Sequence, residues 1–402
     1  MTNSVISLAE RIGRIKPSPT VAVSAKAKEL KAAGYNIANL GSGEPDFDTP
    51  QHIKDAATAA IAGGMTKYTA VDGTPELKKA IAEKFRRENS LDCSPKQIIV
   101  SAGAKHSLMN LMLAVLGPGD EVVIPAPYWV SYPDMSLLAD ATPVIIFTGA
   151  EQQYKISPAQ LSEVLSEKTK VVVFNSPSNP SGALYSSDEL AALGNILRDY
   201  PKIVIASDDI YEHIRYKGRP FANILNSCPD LAERTVIING VSKAYAMTGW
   251  RIGYAAGPEK IIRAMTKIQS QMTTNPCSIA QAAAQAALEG GNECITPMLV
   301  AFDRRRRFME KGLNDITGLN CPPIEGAFYA FPDAGEAIEK LHVAGKIGET
   351  NDVALCEYLI EKAGVAAVPG SAFGCPGCFR ISFAAADVVL QDALDKITQA
   401  LA

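Results

Sequence analysis

The segment Val236-Ile237-Ile238-Asn239-Gly240-Val241-Ser242-Lys243 places a lysine just after a β-branched apolar run. The run predicts a buried strand, and Asn239-Gly240 is expected to make the turn that follows it. In a mostly apolar pocket beside a cation, a lysine loses its proton more readily and its amine can form a Schiff base. Arg251 lies close enough in sequence to be that cation. Schiff-base lysines occur in aldolases, decarboxylases and enzymes that use pyridoxal phosphate (PLP).

Similar β-branched runs recur along the chain and alternate with helical patterns such as 107–116 and 187–199. The runs are continuous rather than alternating, which is typical of strands buried on both faces of a parallel sheet with helices outside. The sequence therefore predicts an α/β fold with a large domain, whose mostly parallel central sheet is flanked by helices. The other candidate strands are 98–100, 121–124, 144–146, 171–174 and 203–205.

The C-terminal part has a different pattern. After Pro322-Pro323, short strands expected at 327–330 and 379–383 are mixed with helices, which predicts a smaller α+β domain. We expect the large domain to span 51–300 and the small domain to be built from both termini, 1–50 and 301–402. The basic run 304–307 is expected on the solvated face of a long helix.

Composition excludes several classes of function. The net charge of −4, with both signs interspersed, argues against nucleic acid or an anionic membrane as the main partner. No apolar stretch is long enough to span a bilayer, and the start Met1–Ser4 lacks the order of a secretory signal, so the cytoplasm is the expected location. The four histidines form no metal motif, and Cys375 and Cys378 are expected to be reduced thiols in a Gly/Pro loop.

Loops after the predicted strands carry polar groups, and in open α/β sheets ligands bind at the carboxyl ends of strands. The loop 101–106 is either a phosphate site at a helix N-terminus or a plain tight turn. The loop 175–182 contains two asparagines and two prolines, which turn chemistry alone explains. Beside a cofactor, one of its asparagine amides can donate to a phenolate oxygen.

The loop 207–212 places Asp208 and Asp209 after a buried strand. A buried carboxylate there must be paired, and a protonated cofactor ring nitrogen is one suitable partner. The alternative is that either aspartate caps the next helix, which we expect of Asp209. Tyr211 follows within reach of the same ring. Arg380, inside a strand-like run, needs an anionic partner, either a substrate carboxylate or a protein carboxylate.

Over nearly its whole length, the chain resembles the class I (fold-type I) PLP-dependent aminotransferases. Within them it is most similar to the bacterial subgroup of aspartate aminotransferases typified by thermophile and rhizobial enzymes, some of which are also prephenate aminotransferases. Taken together, the order and spacing of the matching motifs are specific for this family. They lie at 16–20, 43–47, 128–132, 175–182, 207–211, 242–251, 325–329 and 379–382.

The resemblance implies a role for each matching residue toward PLP. Lys243 would form the Schiff base and move the proton between the substrate Cα and the cofactor C4′, Asp208 would pair with the ring nitrogen, and Tyr211 would bond the phenolate oxygen. Tyr68 would reach the phosphate in the neighbouring subunit, which implies a homodimer with shared active sites. The remaining implied contacts are Asn179 to the phenolate oxygen, Trp129 to the ring face, and Gly103, Ala104, Lys105, Ser242 and Arg251 to the phosphate.

The resemblance also implies the substrate contacts. Gly43 and Arg380 would hold the α-carboxylate, with Trp129 and Asn179 beside it. Enteric and animal aspartate aminotransferases bind the distal carboxylate through an arginine whose position here is Ser270, five residues before Asn275-Pro276. In the subgroup that this chain resembles, a phosphate-loop lysine does so with help from two hydroxyls, and an N-terminal basic residue helps bind prephenate. The corresponding residues here are Lys105, Ser18, Thr20 and Arg14.

The activity implied is amino transfer between L-aspartate and 2-oxoglutarate by a ping-pong mechanism, with the amino group held on the cofactor as pyridoxamine phosphate between steps. Prephenate would be a further keto-acid substrate. One alternative is a class I aminotransferase for alanine or an aromatic amino acid. Another is a PLP lyase on the same fold, which Arg380 disfavours because it anchors the carboxylate that a decarboxylase would release. A third, non-enzymatic alternative is a PLP-binding regulator on the same scaffold. It is disfavoured because such proteins usually carry an added DNA-binding domain, for which this chain has no length to spare.

Overall fold

The computed structural model describes residues 6–216 and 218–402, so Met1–Ser4 lie outside the described residues. The strands are β1 (Ala38–Asn39), β2 (Ile98–Ser101), β3 (Glu121–Pro125), β4 (Thr142–Ile146), β5 (Thr169–Asn175), β6 (Val204–Asp208), β7 (Thr235–Gly240), β8 (Gly253–Ala256), β9 (Tyr329–Ala330), β10 (Val365–Ala366), β11 (Val368–Pro369) and β12 (Phe379–Ser382).

The α-helices lie between these strands and at both ends of the described chain. None of them is both long and apolar enough to cross a bilayer. They are α1 (Arg11–Arg14), α2 (Pro19–Ala32), α3 (Gln51–Ala62), α4 (Pro75–Asn89), α5 (Ala104–Val115), α6 (Ser131–Leu138), α7 (Pro158–Val164), α8 (Ser187–Arg198), α9 (Ile224–Ser227), α10 (Glu259–Met272), α11 (Ser278–Glu289), α12 (Thr296–Asn314), α13 (Gly335–Val343), α14 (Asp352–Tyr358) and α15 (Asp387–Leu401).

A seven-stranded sheet in the order β2-β8-β7-β6-β5-β3-β4 forms the centre of the molecule. Every pair in it is parallel except the two made by β8. Successive residues of β5 belong to two separate apolar clusters: Val171 and Val173 share one with side chains of α5 and α10, and Val172 and Phe174 share the other with side chains of α8. Strands buried on both faces explain the continuous apolar runs, and the expected α/β class is confirmed.

Two details of this sheet differ from the sequence-based expectation. Strand β8 was missed because Gly253-Tyr254-Ala255-Ala256 lacks β-branched residues. Strand β7 continues through Asn239 and Gly240, which pair with Tyr254 and Gly253, so the expected turn at Asn239-Gly240 was wrong. The chain leaves the strand only after Gly240, so the loop that carries Lys243 starts directly from the end of β7.

Two smaller sheets lie outside the large one, and both ends of the chain meet in the first of them. Strand β1 pairs in parallel with β10, and β12 lies between β11 and β9 with antiparallel pairing on both sides. Short strands mixed with helices fit the expected α+β character of this part. The proposed division into 51–300 and 1–50 with 301–402 stays a prediction.

The basic run on α12 corrects another expectation. The side chains of Arg305 and Arg306 are only 7% and 4% exposed, and the solvated face expected for the run was therefore wrong for this pair. Arg305 makes a bidentate pair with Asp46, with nitrogen–oxygen distances of 2.7 and 2.9 Å. Arg306 bonds Asp303 and Glu310 on its own helix. Helical spacing turns these two arginines inward while their neighbours in the run stay exposed.

Candidate active site

A cavity of about 310 Å³ opens at the carboxyl ends of β5, β6 and β7, where Asn175, Asp208 and Ser242 are located. This is the edge at which an open α/β sheet binds its ligands. Most of the predicted site residues line it. The lining consists of Thr20, Gly43, Ala104, Lys105, Leu108, Trp129, Tyr132, Asn175, Asn179, Asp208, Ile210, Tyr211, Ser242, Lys243, Thr248, Arg251, Tyr329 and Arg380.

Lys243 projects into this cavity, and its Nζ donates a hydrogen bond to the Gly43 carbonyl oxygen at 2.7 Å. Burial, together with the nearby Arg380 guanidinium, lowers the pKa of Lys243 to about 8. Arg251, the cation expected from sequence, contributes to the same pKa after Arg380. The amine is therefore poised to be neutral, and nucleophilic, within a pH unit or so of neutrality.

Asp208 lies 4% exposed at the end of β6. Its Oδ2 accepts a 2.6 Å hydrogen bond from the Tyr132 hydroxyl, and Oδ1 accepts one from the Ile210 N–H at 3.3 Å. Burial raises the pKa of Asp208 to about 6, against the lowering effect of the Tyr132 hydrogen bond. No protein cation among the described residues forms a salt bridge with it, so a protonated ring nitrogen fits this carboxylate.

Asp209 has a different environment, and its expected helix-capping role was wrong. Its Oδ1 accepts from the Ser207 hydroxyl at 2.7 Å, and its Oδ2 accepts from the Asn223 amide at 2.8 Å. The next helix, α9, is capped by Asn223 itself. Burial raises the pKa of Asp209 well above its usual range. Asp209 thus joins two segments behind the cavity, and it does not line the cavity.

An anion cradle forms where α5 begins. Gly103, the N-cap residue, has φ +92° and provides no side-chain cap, so the first-turn N–H groups of Ala104 and Lys105 face outward for an anion. A Cβ on Gly103 would collide with the Arg251 guanidinium. The same close approach recurs at Gly253, where a Cβ would strike the backbone of Ala104. These glycines let a cation and a helix N-terminus converge on one point, which suits a phosphate.

Arg380 is a buried cation without an acidic protein partner among the described residues. It is 2% exposed, its Nη1 donates to the Asn179 side-chain oxygen at 2.9 Å, and its Nη2 donates to the Gly41 carbonyl at 2.7 Å. Its Nε is buried and has no hydrogen-bond partner. The guanidinium lies over the rings of Tyr329 and Phe373, at 4.5 and 5.0 Å from their centroids. Within the described part of the chain no protein carboxylate makes the internal salt bridge that the sequence left open, and a substrate carboxylate fits the site.

A hydrogen-bonded group lies next to Arg380. The Tyr211 and Tyr329 hydroxyls are 2.8 Å apart. The backbone N–H of Asn179 donates to the Asn175 side-chain oxygen at 2.9 Å, and the Asn175 amide donates to the Asp208 carbonyl at 3.0 Å. These bonds fix the Asn179 backbone and the Tyr211 hydroxyl, and Arg380 holds the Asn179 side-chain oxygen. The Asn179 amide and the Tyr211 hydroxyl therefore stand at one wall of the cavity, where both can donate to a phenolate oxygen.

Of the residues predicted to bind the distal carboxylate or prephenate, only Lys105 and Thr20 line the cavity. The ammonium of Lys105 lies 4.9 Å from the centroid of the Trp129 ring, and burial together with Arg251 lowers its pKa. Thr20 lines the cavity, and its hydroxyl is 3.0 Å from that of Ser18, which is not part of the lining. Arg14 also lies outside the lining, because its guanidinium bonds Asp140 at 2.5 Å.

Tyr68 is 88% exposed and does not line this cavity. Three lining residues that matter were not assigned from sequence: Tyr132, Asn175 and Tyr329. Each one stands within a quoted motif, so the signal was present. Tyr132 lies three residues after Trp129, in the first turn of α6, and their rings meet edge to face at 5.4 Å. This contact makes Tyr132 a neighbour of the residue expected on the ring face.

Comparison with known proteins now identifies the family. The family described as aminotransferase class I and II matches residues 35–397. The chain belongs to this family. A relative from Nitrosomonas europaea, named aspartate/prephenate aminotransferase, is 58% identical and covers 98% of this chain and 100% of its own length. A relative from Bacillus subtilis, named aspartate aminotransferase, is 48% identical over 98% of each chain.

Solved structures agree with these relatives. The aspartate aminotransferase from Rhizobium meliloti superimposes with a TM-score of 0.93 at 46% identity, covering 98% of this chain and 99% of that one. The Thermus thermophilus aspartate aminotransferase with maleate gives a TM-score of 0.91 at 41% identity, covering 98% and 100%. This aminotransferase is accordingly a PLP-dependent transaminase.

The cavity of the aminotransferase fits PLP by the chemistry of its donors. The α5 N-terminus, Ser242 and Arg251 suit the phosphate, and Asp208 suits the ring nitrogen. Lys243 provides an amine at the cavity wall, and the remaining wall carries the hydrogen-bonded groups of Asn179 and Tyr211. The individual role of each residue stays a prediction, which the substitutions below test.

Proposed function

We propose that this aminotransferase exchanges the amino group between L-aspartate and 2-oxoglutarate, giving oxaloacetate and L-glutamate. The observation that carries the proposal is a pair of cations facing one cavity, the buried Arg380 and the rim residue Lys105. Two carboxylates on one substrate match two such cations. The Thermus thermophilus relative was solved with maleate, which is also a dicarboxylate.

The residues of this chain would divide the work as follows. Bound PLP supplies the electron sink that makes the substrate Cα proton acidic. Lys243 takes and returns that proton, because its lowered pKa leaves more of the amine unprotonated near neutral pH and so able to accept one. Asp208 keeps the ring nitrogen protonated, and Tyr132 holds Asp208 in place. Arg380 and Lys105 orient the substrate by its two ends, which fixes the Cα next to Lys243.

We further propose prephenate as a keto-acid substrate. Relatives from Nitrosomonas europaea and Cereibacter sphaeroides are named aspartate/prephenate aminotransferases, at 58% and 54% identity. Arg14 is the candidate contact, and to reach a substrate it has to leave Asp140, which is feasible since both side chains are about 40% exposed. Arg14→Ala should then lower kcat/KM for prephenate more than for oxaloacetate.

The decisive experiment is substrate profiling of the purified enzyme. Aspartate, glutamate, alanine and phenylalanine are tested as donors against oxaloacetate, 2-oxoglutarate and prephenate. We expect the dicarboxylic pair to give the highest kcat/KM. A preference for alanine or phenylalanine over aspartate would instead favour the alternative of another class I aminotransferase. Release of carbon dioxide without amino transfer would favour a lyase.

The homodimer with shared active sites is part of this proposal. Tyr68 is a large side chain exposed to 88%. It is free to enter a neighbouring subunit. Light scattering should give twice the 42.8 kDa chain mass. A second test mixes the inactive Lys243→Ala variant with Tyr68→Ala. In a hybrid dimer, one of the two active sites combines an intact Lys243 from one subunit with an intact Tyr68 from the other. The mixture should therefore be more active than either variant alone. A monomeric mass would contradict the proposal. We also propose a cytoplasmic location, which cell fractionation tests.

A further inference from the structure

The thiols of Cys375 and Cys378 face each other across a tight loop. Their Sγ atoms are 3.7 Å apart. The loop is closed by backbone hydrogen bonds, from the Cys375 N–H to the Gly370 carbonyl at 3.0 Å and from the Gly370 N–H to the Cys378 carbonyl at 2.8 Å. This framework holds the two sulfur atoms near bonding distance. Neither cysteine lines the substrate cavity.

The two thiols differ in exposure and acidity. Cys375 is half-buried and Cys378 is buried. A hydrogen bond from the Cys378 thiol lowers the pKa of Cys375, and the same contact together with burial raises the pKa of Cys378. Burial instead raises the pKa of the thiols Cys93, Cys228, Cys294, Cys321 and Cys356. An accessible, acidified thiol beside a second thiol is the arrangement that supports disulfide chemistry.

The loop also connects to the substrate site. It joins β11 to β12, and Arg380 follows Cys378 by two residues on β12. Phe373, in the same loop, stacks on the Arg380 guanidinium at 5.0 Å from the ring centroid. The Phe373 carbonyl accepts a hydrogen bond from the N–H of Tyr128, next to Trp129. A change in this loop therefore reaches the residue that fits the α-carboxylate.

We propose that Cys375 and Cys378 form a reversible redox site, oxidised by hydroperoxides to a disulfide that weakens substrate binding at Arg380. The Cys375 thiolate attacks the outer peroxide oxygen, the O–O bond breaks, and an alcohol or water leaves. The sulfenic acid formed is attacked by Cys378, whose proton leaves with the hydroxide as water. The two sulfurs lose two electrons and the peroxide gains them. A dithiol reductant reverses the step by exchange.

Forming the bond shortens the sulfur–sulfur separation from 3.7 Å to about 2.05 Å. That movement draws Cys375 away from the Thr148 carbonyl or Cys378 away from the Tyr154 hydroxyl, which they now contact at 3.8 and 3.7 Å. The displaced loop carries Phe373 off the Arg380 guanidinium. Since every substrate has an α-carboxylate, KM should rise for aspartate and 2-oxoglutarate alike, by roughly three- to tenfold, with kcat little changed.

The test uses the holoenzyme treated with hydrogen peroxide, then alkylated with iodoacetamide, digested and analysed by mass spectrometry. We expect one cross-link between Cys375 and Cys378, about 2 Da lighter than the dithiol and reversed by dithiothreitol. The matched control is Cys277→Ser, which removes an exposed thiol distant in sequence and should behave like wild type. Cys375→Ser and Cys378→Ala should keep their untreated KM after peroxide.

The thiol mapping does not depend on any substrate, so it separates this proposal from the proposed function. Peroxide that oxidises Cys277 while both loop thiols remain alkylated would overturn the redox site. Sulfinic acid on Cys375 with a free Cys378 would overturn it too. A cross-link that leaves KM unchanged would overturn the coupling to Arg380. Circular dichroism of both loop variants confirms that they are folded, so that an unchanged KM after peroxide reports the missing thiol.

Discussion

The Tyr132 hydroxyl donates a 2.6 Å hydrogen bond to Oδ2 of Asp208, and the Tyr132 ring also meets Trp129 edge to face. One side chain thus links the residue expected on the face of the cofactor ring to the residue expected at its nitrogen. The bond favours the charged form of Asp208, against a burial that raises its pKa to about 6. The acid is therefore held ready for a cationic partner.

Asp208→Ala should leave a folded protein with a severely slowed half-reaction. Removing the carboxylate deprives the ring nitrogen of its counter-charge, which costs roughly 3–4 kcal/mol in the barrier. Single-turnover kinetics with aspartate measure the loss. Asp209→Ala is the matched control, because Asp209 bonds Ser207 and Asn223 behind the cavity and should affect stability more than rate. If Asp208→Ala had near-normal rates and Asp209→Ala were inactive, the role at the ring nitrogen would belong to Asp209 and not to Asp208.

Lys243→Ala should abolish turnover, since the chain then lacks both the amine for the cofactor and the base for the substrate Cα proton. The purified variant should also lose the visible absorbance of the covalently held cofactor, although PLP can still bind without the bond. Absorbance spectra and steady-state rates check both points. Retention of most wild-type activity would contradict the assignment of Lys243.

Lys105→Ala should reduce kcat/KM for aspartate and glutamate about ten- to a hundredfold, and much less for alanine or phenylalanine. The reason is that one charged contact to the distal carboxylate is worth roughly 1.5–3 kcal/mol. Prephenate, with its second carboxylate, should suffer as well. Steady-state kinetics with aspartate and phenylalanine decide the matter. Equal losses for both, with weaker PLP binding, would show that Lys105 serves only the cofactor phosphate.

In the cofactor-free enzyme, Lys243 should titrate near pH 8. Its pKa is lowered from 10.5 by burial, then by Arg380, with Arg251 adding to the effect and the carboxylates of Glu44 and Asp208 opposing it. Because a lowered pKa leaves the amine neutral above that value, acetylation of Nζ should accelerate as pH rises through 8 and then level off. Mass spectrometry of acetylated peptides gives the profile. Arg380→Gln should shift the midpoint upward, and an unshifted midpoint would exclude Arg380 as a cause.

Asp46→Ala should lower the free energy of unfolding by about 2 kcal/mol, because it leaves the buried Arg305 guanidinium without its bidentate partner. Urea denaturation measures the change. The control is Asp387→Ala, which removes an Arg305 contact from a side chain that is 57% exposed, and should cost less than about 1 kcal/mol. If both variants lost the same free energy of unfolding, the greater burial of the Asp46 contact would not explain its strength.

The sequence predicted those elements whose signals are local. β-Branched runs gave the strands β2 to β7, and polar residues at strand ends indicated Asp208 and Lys243, because strand ends of a parallel sheet share one edge. Strand β8 was missed because it lacks β-branched residues, and its Gly253 is required for the close approach to the start of α5.

Contacts between distant segments could not be predicted. The pairing of Arg305 with Asp46 spans 259 residues, so the helical spacing that turns Arg305 inward could not show which carboxylate it meets. The larger influence of Arg380 on the pKa of Lys243 likewise depends on tertiary packing. The hydroxyl contact of Tyr211 with Tyr329 joins two motifs that the sequence shows separately.

Strand β1 pairs with β10, and the Gly41 carbonyl accepts from Arg380, 339 residues further along. On the ribosome, the large sheet can close once β8 has emerged, but Ala38 and Asn39 must wait for Val365 and Ala366. At 5–20 residues per second, the time between the synthesis of Ala38 and that of Val365 is roughly 16–65 seconds. Throughout it, the nascent chain exposes an unpaired N-terminal segment and half of its carboxylate-binding site. Truncation of the last few dozen residues therefore removes substrate binding before it removes the central sheet.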